Sequence, residues 1–316
     1  MDLMIALAIF VVSVGLLIAS AKFFTGAAET LGYRFGLSSF VVGVVIVSVG
    51  TSLPELISSI LSVRSGSSEI VPGNIIGSSL SNILFVLGLT VVLSQNRIDL
   101  GAQYIYIDLN YLAGAALILV VTMFDGVVHA PEAIIGLLAY GAYVFYLLRA
   151  GNSQASSDAL PHPPETSSSL GWAIGVLLAS GVVIFLSANQ TVDSLGKIAE
   201  TLGVSKAIVS MTLLSIGTTL PECVVSVSAA RAGKAGLAVG NVLGSCIFNA
   251  LVIPGVASFF GSLSVPEELL HFSLPFYAAV TLLFYLLTQD KKISPFEGAL
   301  LLLIYALFMG KVANLL

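Results

Sequence analysis

Long apolar runs separated by brief polar interruptions dominate this chain. A helix that crosses a bilayer needs about 20 mostly apolar residues. Ten such windows occur, near 3–30, 37–64, 70–94, 104–124, 131–149, 170–195, 204–231, 236–261, 268–288 and 295–314. One interruption differs in kind. Residues 150–169 are rich in Ser, Pro and polar groups around Pro161-His162-Pro163-Pro164, the composition of a flexible linker. The pattern predicts an all-α integral membrane fold with ten transmembrane helices. Residues 1–149 carry five of them and residues 170–316 the other five.

Composition sharpens this reading. Of 316 residues, 57% are hydrophobic and only 9% charged, with a mean hydropathy of +1.04. A soluble domain carries about 25% charged residues. A soluble enzyme, a nucleic-acid binder and a disordered chain are all excluded. The net charge of −5 adds little in a bilayer. Cys223 and Cys246 lie inside apolar runs and read as packing residues. The start, Met1-Asp2-Leu3-Met4, has no positive charge, and its apolar run continues past Ala21. It is expected to be a retained helix rather than a signal peptide.

The two halves are related. Aligning residues 36–89 with 203–256 without gaps gives 19 identities in 54 positions, clustered in two blocks. Gly50-Thr51-Ser52-Leu53-Pro54-Glu55 pairs with Gly217-Thr218-Thr219-Leu220-Pro221-Glu222. Gly73-Asn74-Ile75-Ile76-Gly77-Ser78, then Asn82, pairs with Gly240-Asn241-Val242-Leu243-Gly244-Ser245, then Asn249. Shared apolar composition would scatter the matches; these fall on polar residues, Gly and Pro. Glu55 lies in the second predicted helix and Glu222 in the seventh, so an odd number of crossings separates them. The two five-helix repeats are therefore expected in inverted topology, an architecture of secondary transporters with a site near the midplane. Arg34, Arg97, Arg149, Arg231, Lys234, Lys291 and Lys292 fall on the linker side, against Arg64, Lys197, Lys206 and Lys311 on the other. This bias predicts a cytoplasmic linker and both termini outside, in the cell membrane.

Most acids fit helix ends and loops. Glu55 and Glu222 lie deep inside apolar windows, where an ionisable residue costs roughly 2.5–3.5 kcal/mol on insertion scales. No Lys or Arg is available at that depth, which leaves a bound cation or protons as neutralisers. Thr51 and Ser52 share a helix face with Glu55, as Thr218 and Thr219 do with Glu222. Ser78 and Asn82 are one turn apart, as are Ser245 and Asn249. Oxygen-only sets of this kind suit hard cations, and Ca²⁺ takes about 6–8 oxygens. Pro54 and Pro221 lack the N–H that would bond the carbonyls of Gly50 and Gly217 and are expected to open the helix there. Gly73-x-x-x-Gly77 and Gly240-x-x-x-Gly244 read as close-packing faces. His129, His162 and His271 are scattered near loops. No phosphate-binding loop, zinc-protease motif or nucleophile elbow occurs, so no enzyme and no resident cofactor is expected.

At these two blocks the chain resembles the calcium/cation antiporter superfamily, in its prokaryotic Na⁺/Ca²⁺ exchanger branch. The resemblance spans nearly the whole chain. It implies that Glu55 and Glu222 are central Ca²⁺ ligands. It also implies that Thr51, Ser52, Ser78, Thr218, Thr219 and Ser245, with the carbonyls of Ser48 and Ser215, serve Ca²⁺ and Na⁺ sites. Asn82 would be the amide ligand of the first repeat. The first and sixth helices would be long, tilted and sliding. At Asn249 the better-known members carry Asp, so this site has two carboxylates. The linker is too short for a folded regulatory domain, and the lipid bilayer is the one macromolecular partner implied.

The primary expectation is alternating-access exchange of Ca²⁺ for Na⁺. The alternative keeps the two glutamates and uses H⁺, or adds K⁺, as counter-ion. A channel would favour parallel symmetry about a continuous pore.

Overall fold

A computed structural model describes residues 3–94, 98–99, 107–151, 169–201 and 206–312, except the side chains at 150–151, 195–196, 199–200, 206–216 and 218. The helices in chain order are α1 (Leu3–Arg34), α2 (Ser39–Arg64), α3 (Ile70–Ser94), α4 (Leu109–Met123) and α5 (Ala130–Gly151). Then follow α6 (Leu170–Thr201), α7 (Lys206–Arg231), α8 (Ala235–Phe260), α9 (Leu269–Leu287) and α10 (Pro295–Val312). Eight of them are long and apolar enough to cross a membrane among the described residues. At 15 residues α4 is shorter than a full span, and much of α7 has undescribed side chains. The linker lies largely outside the described residues.

The most hydrophobic windows differ sharply in burial. The window of α8 is 89% buried, whereas those of α1 and α6 are each 22% buried. Thus α8 is the central post. The 32-residue α1 and α6 run alongside each other at the periphery, with Val11, Val12, Leu16 and Phe23 of α1 and Leu178, Val182 and Leu186 of α6 exposed. Thr191 donates to Ser13 across this pair at 3.0 Å.

Close helix approach depends on absent side chains, because in hydrocarbon the association of helices rests on packing rather than on water exclusion. A Cβ on Gly43 would lie 2.5 Å from the Leu237 carbonyl and 2.9 Å from the Asn241 nitrogen. One on Gly240 would run into the Phe40 carbonyl, and one on Gly244 into the Val44 carbonyl at 2.7 Å. The Gly240-x-x-x-Gly244 face therefore packs backbone to backbone on α2, as expected. No described atom meets a Cβ at Gly77 within 4 Å, but the counterpart segment, 206–216, has undescribed side chains.

Equivalent positions of the halves close their turns alike. After α2, Ser67 N donates to Ser62 O at 2.9 Å and Gly66 N to Val63 O at 3.1 Å; after α7, Lys234 N donates to Ala229 O at 2.9 Å and Gly233 N to Ala230 O at 3.0 Å. Both are Schellman closures, with Gly66 at φ 81° and Gly233 at φ 78°, a left-handed conformation that Gly adopts without a Cβ penalty. Glu132 and Glu297 each accept from the backbone nitrogen three residues upstream, at 3.0 and 2.6 Å, capping α5 and α10. Four two-residue strands, β1 (Ile98–Asp99), β2 (Val127–Val128), β3 (Leu263–Ser264) and β4 (Lys292–Ile293), form two antiparallel pairs. Ile98 faces Ile293 in β1–β4, and Val128 faces Leu263 in β2–β3. Each pair joins the two halves.

One local expectation fails. The helix continues through Pro54 and through Pro221. The irregularity lies upstream, in a π-helical turn at Gly43–Val47 that ends with Ser48 N bonded to Gly43 O. A second π turn, Ser81–Val86, carries Asn82. A proline inside a helix leaves one carbonyl without its intrahelical donor, whether or not the helix bends there.

Candidate functional site

The two motif blocks meet around α8. Ser48, Thr51, Ser52, Glu55, Ser78, Asn82, Thr219, Glu222, Ser245 and Asn249 are all buried, each at 2% exposure or less. Their elements explain why. Thr51, Ser52 and Glu55 occupy the inner face of α2 one turn after its π turn. Ser78 and Asn82 lie on α3, Thr219 and Glu222 on α7, and Ser245 and Asn249 on α8. Ser215 and Thr218 belong to α7, but their side chains lie outside the described residues.

Hydrogen bonds link the halves directly. Ser52 Oγ donates to Glu222 Oε1 at 3.2 Å. Asn249 Nδ2 donates to Ser78 Oγ at 3.0 Å. Thr51 Oγ1 donates toward the Ser48 carbonyl at 3.3 Å or Asn241 Oδ1 at 3.2 Å, and Ser48 Oγ bonds back to the Val44 carbonyl.

The oxygens left over are more telling. Among the described residues, both Glu55 carboxylate oxygens, Glu222 Oε2, Ser245 Oγ, Asn249 Oδ1 and both amide atoms of Asn82 are buried without a hydrogen-bond partner. Buried polar groups are ordinarily satisfied, and an orphan costs about 1–3 kcal/mol, more when charged. A surplus of acceptors around two acids matches a hard cation, whose charge offsets both carboxylates and whose coordination takes up the lone pairs. No cluster of three His, Cys, Asp or Glu occurs among the described residues, so hydroxyls, amides and carbonyls would complete any coordination.

The profile of the family described as sodium/calcium exchanger protein matches residues 5–149 and 172–312. The chain belongs to the sodium/calcium exchanger family. The sodium/calcium exchanger MaX1 of Methanosarcina acetivorans is 30% identical over 93% of this chain and 94% of that protein. A membrane protein of Methanocaldococcus jannaschii is 30% identical over 98% of this chain and 99% of that one. The structure of the sodium-calcium exchanger NCX_Mj soaked without Na⁺ or Ca²⁺ superposes with a TM-score of 0.82 at 26% identity, covering 98% of this chain and all of that one. This agrees with the branch inferred from the motifs.

The long helices of this exchanger-family fold touch the motifs at their glycines. A Cβ on Gly50 would lie 2.6 Å from the Phe24 ring of α1, and one on Gly217 would lie 3.0 Å from Val192 of α6. A crevice of about 240 Å³ between α1, α2 and α6 reaches Thr51 and Pro221. Apart from Thr51 its walls are almost wholly apolar.

Two features are not apparent from the sequence. Asn241 and its counterpart Asn74 stood inside the repeated block without an assigned role, yet Asn241 makes three polar contacts at the site. Asp108, at the start of α4, is only 3% exposed, with Tyr143 donating to it at 2.7 Å. Its partner is distant in sequence, and spacing cannot reveal that. Cys223 and Cys246 are buried free thiols, as expected of packing residues.

Proposed function

We propose that this chain exchanges Ca²⁺ for Na⁺ across the cell membrane by alternating access. The observation that carries the reading is the buried set of unpartnered oxygens around Glu55 and Glu222. In this reading the two carboxylates balance the charge of one Ca²⁺. Thr51, Ser52, Ser78, Asn82, Thr218, Thr219, Ser245 and Asn249, with the Ser48 and Ser215 carbonyls, complete overlapping Ca²⁺ and Na⁺ sites at mid-membrane. Because the sites share oxygens, one ion displaces the other, and the loaded site then opens to the opposite side.

The relatives named sodium/calcium exchangers support the choice of ions. So does the solved exchanger, whose crystals were soaked with Na⁺ and with Ca²⁺ or Sr²⁺. Ten spans in two inverted five-helix repeats, 1–149 and 170–316, account for the matched turns and strand pairs. With an odd number of crossings per half, the β1 and β4 connections reach one side of the membrane and those of β2 and β3 the other. The Lys and Arg bias puts the 150–169 linker in the cytoplasm and both termini outside.

The test is uptake of radioactive Ca²⁺ into proteoliposomes loaded with Na⁺, K⁺ or acidic buffer, with the voltage set by ionophore. Uptake driven by internal Na⁺, and lost in Glu55→Gln and in Glu222→Gln proteins that still fold, is the expected result. Uptake driven by internal acid alone, or retained by either variant, overturns the reading.

A further inference from the structure

Asn241 is wholly buried in α8 and ties together helices from both halves. Its Nδ2 donates to Ser226 Oγ at 2.9 Å and to the Glu222 carbonyl at 3.4 Å, both on α7. Its Oδ1 accepts from Thr51 Oγ1 of α2 at 3.2 Å. Both N–H bonds are thus spent within the protein, and the oxygen is turned toward Thr51.

Thr51 has one hydroxyl proton, for which Asn241 Oδ1 at 3.2 Å and the Ser48 carbonyl at 3.3 Å compete. A hydroxyl offers a single donor and two lone pairs. A proton given to Ser48 occupies a carbonyl that the cation reading needs as a ligand. A proton given to Asn241 leaves both that carbonyl and the Thr51 lone pairs available to an ion. We propose that Asn241 is a positioning residue of the cation site: it takes the Thr51 proton, aiming the Thr51 and Ser48 oxygens at the ion, while its N–H groups hold it to the Glu222 turn. The proposal rests on the cation-site reading above.

The equivalent residue of the first half supports it. Asn74 Nδ2 points at Ser59 Oγ, the counterpart of Ser226, at 3.5 Å. The amide-to-serine contact therefore recurs where the motif recurs. Aspartate at 241 would keep the acceptor but lose both N–H groups and add a third buried charge. Asn241→Ala would remove the Oδ1 acceptor and free the Thr51 proton for the Ser48 carbonyl.

Equilibrium Ca²⁺ binding to the purified full-length chain in Na⁺-free buffer tests this without any counter-ion. Asn241→Ala is expected to raise the Ca²⁺ Kd about tenfold when Thr51 is present. In a Thr51→Val background the same change should have less than about a twofold effect, because the pair acts as a unit. Ser226→Ala loosens the amide without removing it and stands in if Asn241→Ala does not fold. It should weaken binding about threefold with Thr51 and hardly at all with Val. Equal losses in both backgrounds, or unaltered affinity, overturn the role of Asn241 alone. Failure of the unsubstituted chain to bind Ca²⁺ overturns the cation site itself.

Discussion

Ser52 Oγ lies 3.2 Å from Glu222 Oε1, and the two residues come from opposite halves of the chain. Ser52 shares its helix face with Glu55, so the first half supplies the proton donor for the carboxylate of the second. A hydroxyl bound to a carboxylate gives its proton; a hydroxyl bound to a cation gives a lone pair. In the proposed exchange, Ser52 turns its lone pair to the ion as the ion enters, releasing Glu222.

Ser52→Ala should weaken Ca²⁺ uptake mainly through affinity. In the proposed site the substitution removes a ligand oxygen from the ion-bound state, so the KM for Ca²⁺ is expected to rise severalfold. Initial rates against Ca²⁺ concentration check this. An unchanged KM would remove Ser52 from the site.

Gly43→Ala should disrupt the seam between α2 and α8. Its new methyl would sit 2.5 Å from the Leu237 carbonyl, a backbone atom that cannot swing aside, and overpacking of this kind costs about 1–3 kcal/mol. Gly141→Ala, with nothing within 4 Å, should instead be neutral or stabilising by up to about 1 kcal/mol. Thermal melts in the same detergent distinguish the two; equal Tm values would contradict the close approach.

Tyr143→Phe removes the hydroxyl that Asp108 receives at 2.7 Å. Both residues are buried, and Tyr111 stacks on the Tyr143 ring with centroids 4.5 Å apart. The ring packing survives the change, so the expected loss of about 1.5–3 kcal/mol belongs to the hydrogen bond. Adding Asp108→Asn should recover part of it, because the remaining group is then uncharged. A lowered Tm for the single variant and partial recovery in the double is the expected pattern.

Lys234, between α7 and α8, pairs with Glu29 of α1 at 2.6 Å, the side chains being 33% and 17% exposed. Partial exposure screens the pair, and such contacts are worth about 1 kcal/mol or less. Lys234→Gln should lower stability by no more than that, and the difference should vanish in concentrated salt. Melts at low and high ionic strength measure it. A loss that persists in salt would show that Lys234 contributes through packing of its stem.

Much of the fold was legible because its signals are local. Apolar run length marked the helices within a few residues, although α1 and α6 run on to Arg34 and Thr201, past the apolar windows. Duplication of Gly-Thr-x-Leu-Pro-Glu marked Glu55 and Glu222, since a buried acid in an apolar run is conspicuous by composition alone. Asn74 and Asn241 sat in the same alignment without a role, because an amide becomes informative only when its partners are known. Pro54 and Pro221 each mark a missing N–H, yet both helices run through them, and the irregular turn of α2 lies upstream at Gly43–Val47.

The amino-acid sequence determined by itself that the chain is a helical membrane protein, that its halves are related, and that two acids with hydroxyl and amide neighbours lie deep within it. Hydrophobic length and residue pattern are properties of consecutive positions. Only the tertiary structure decided that Ser52 serves Glu222, that Asn249 serves Ser78, that α8 is the central post, and that Asn241 joins three helices. Those relationships depend on which faces of distant helices meet. Glycine-sized gaps and π-helical turns set that contact, and no run of neighbouring residues encodes it alone.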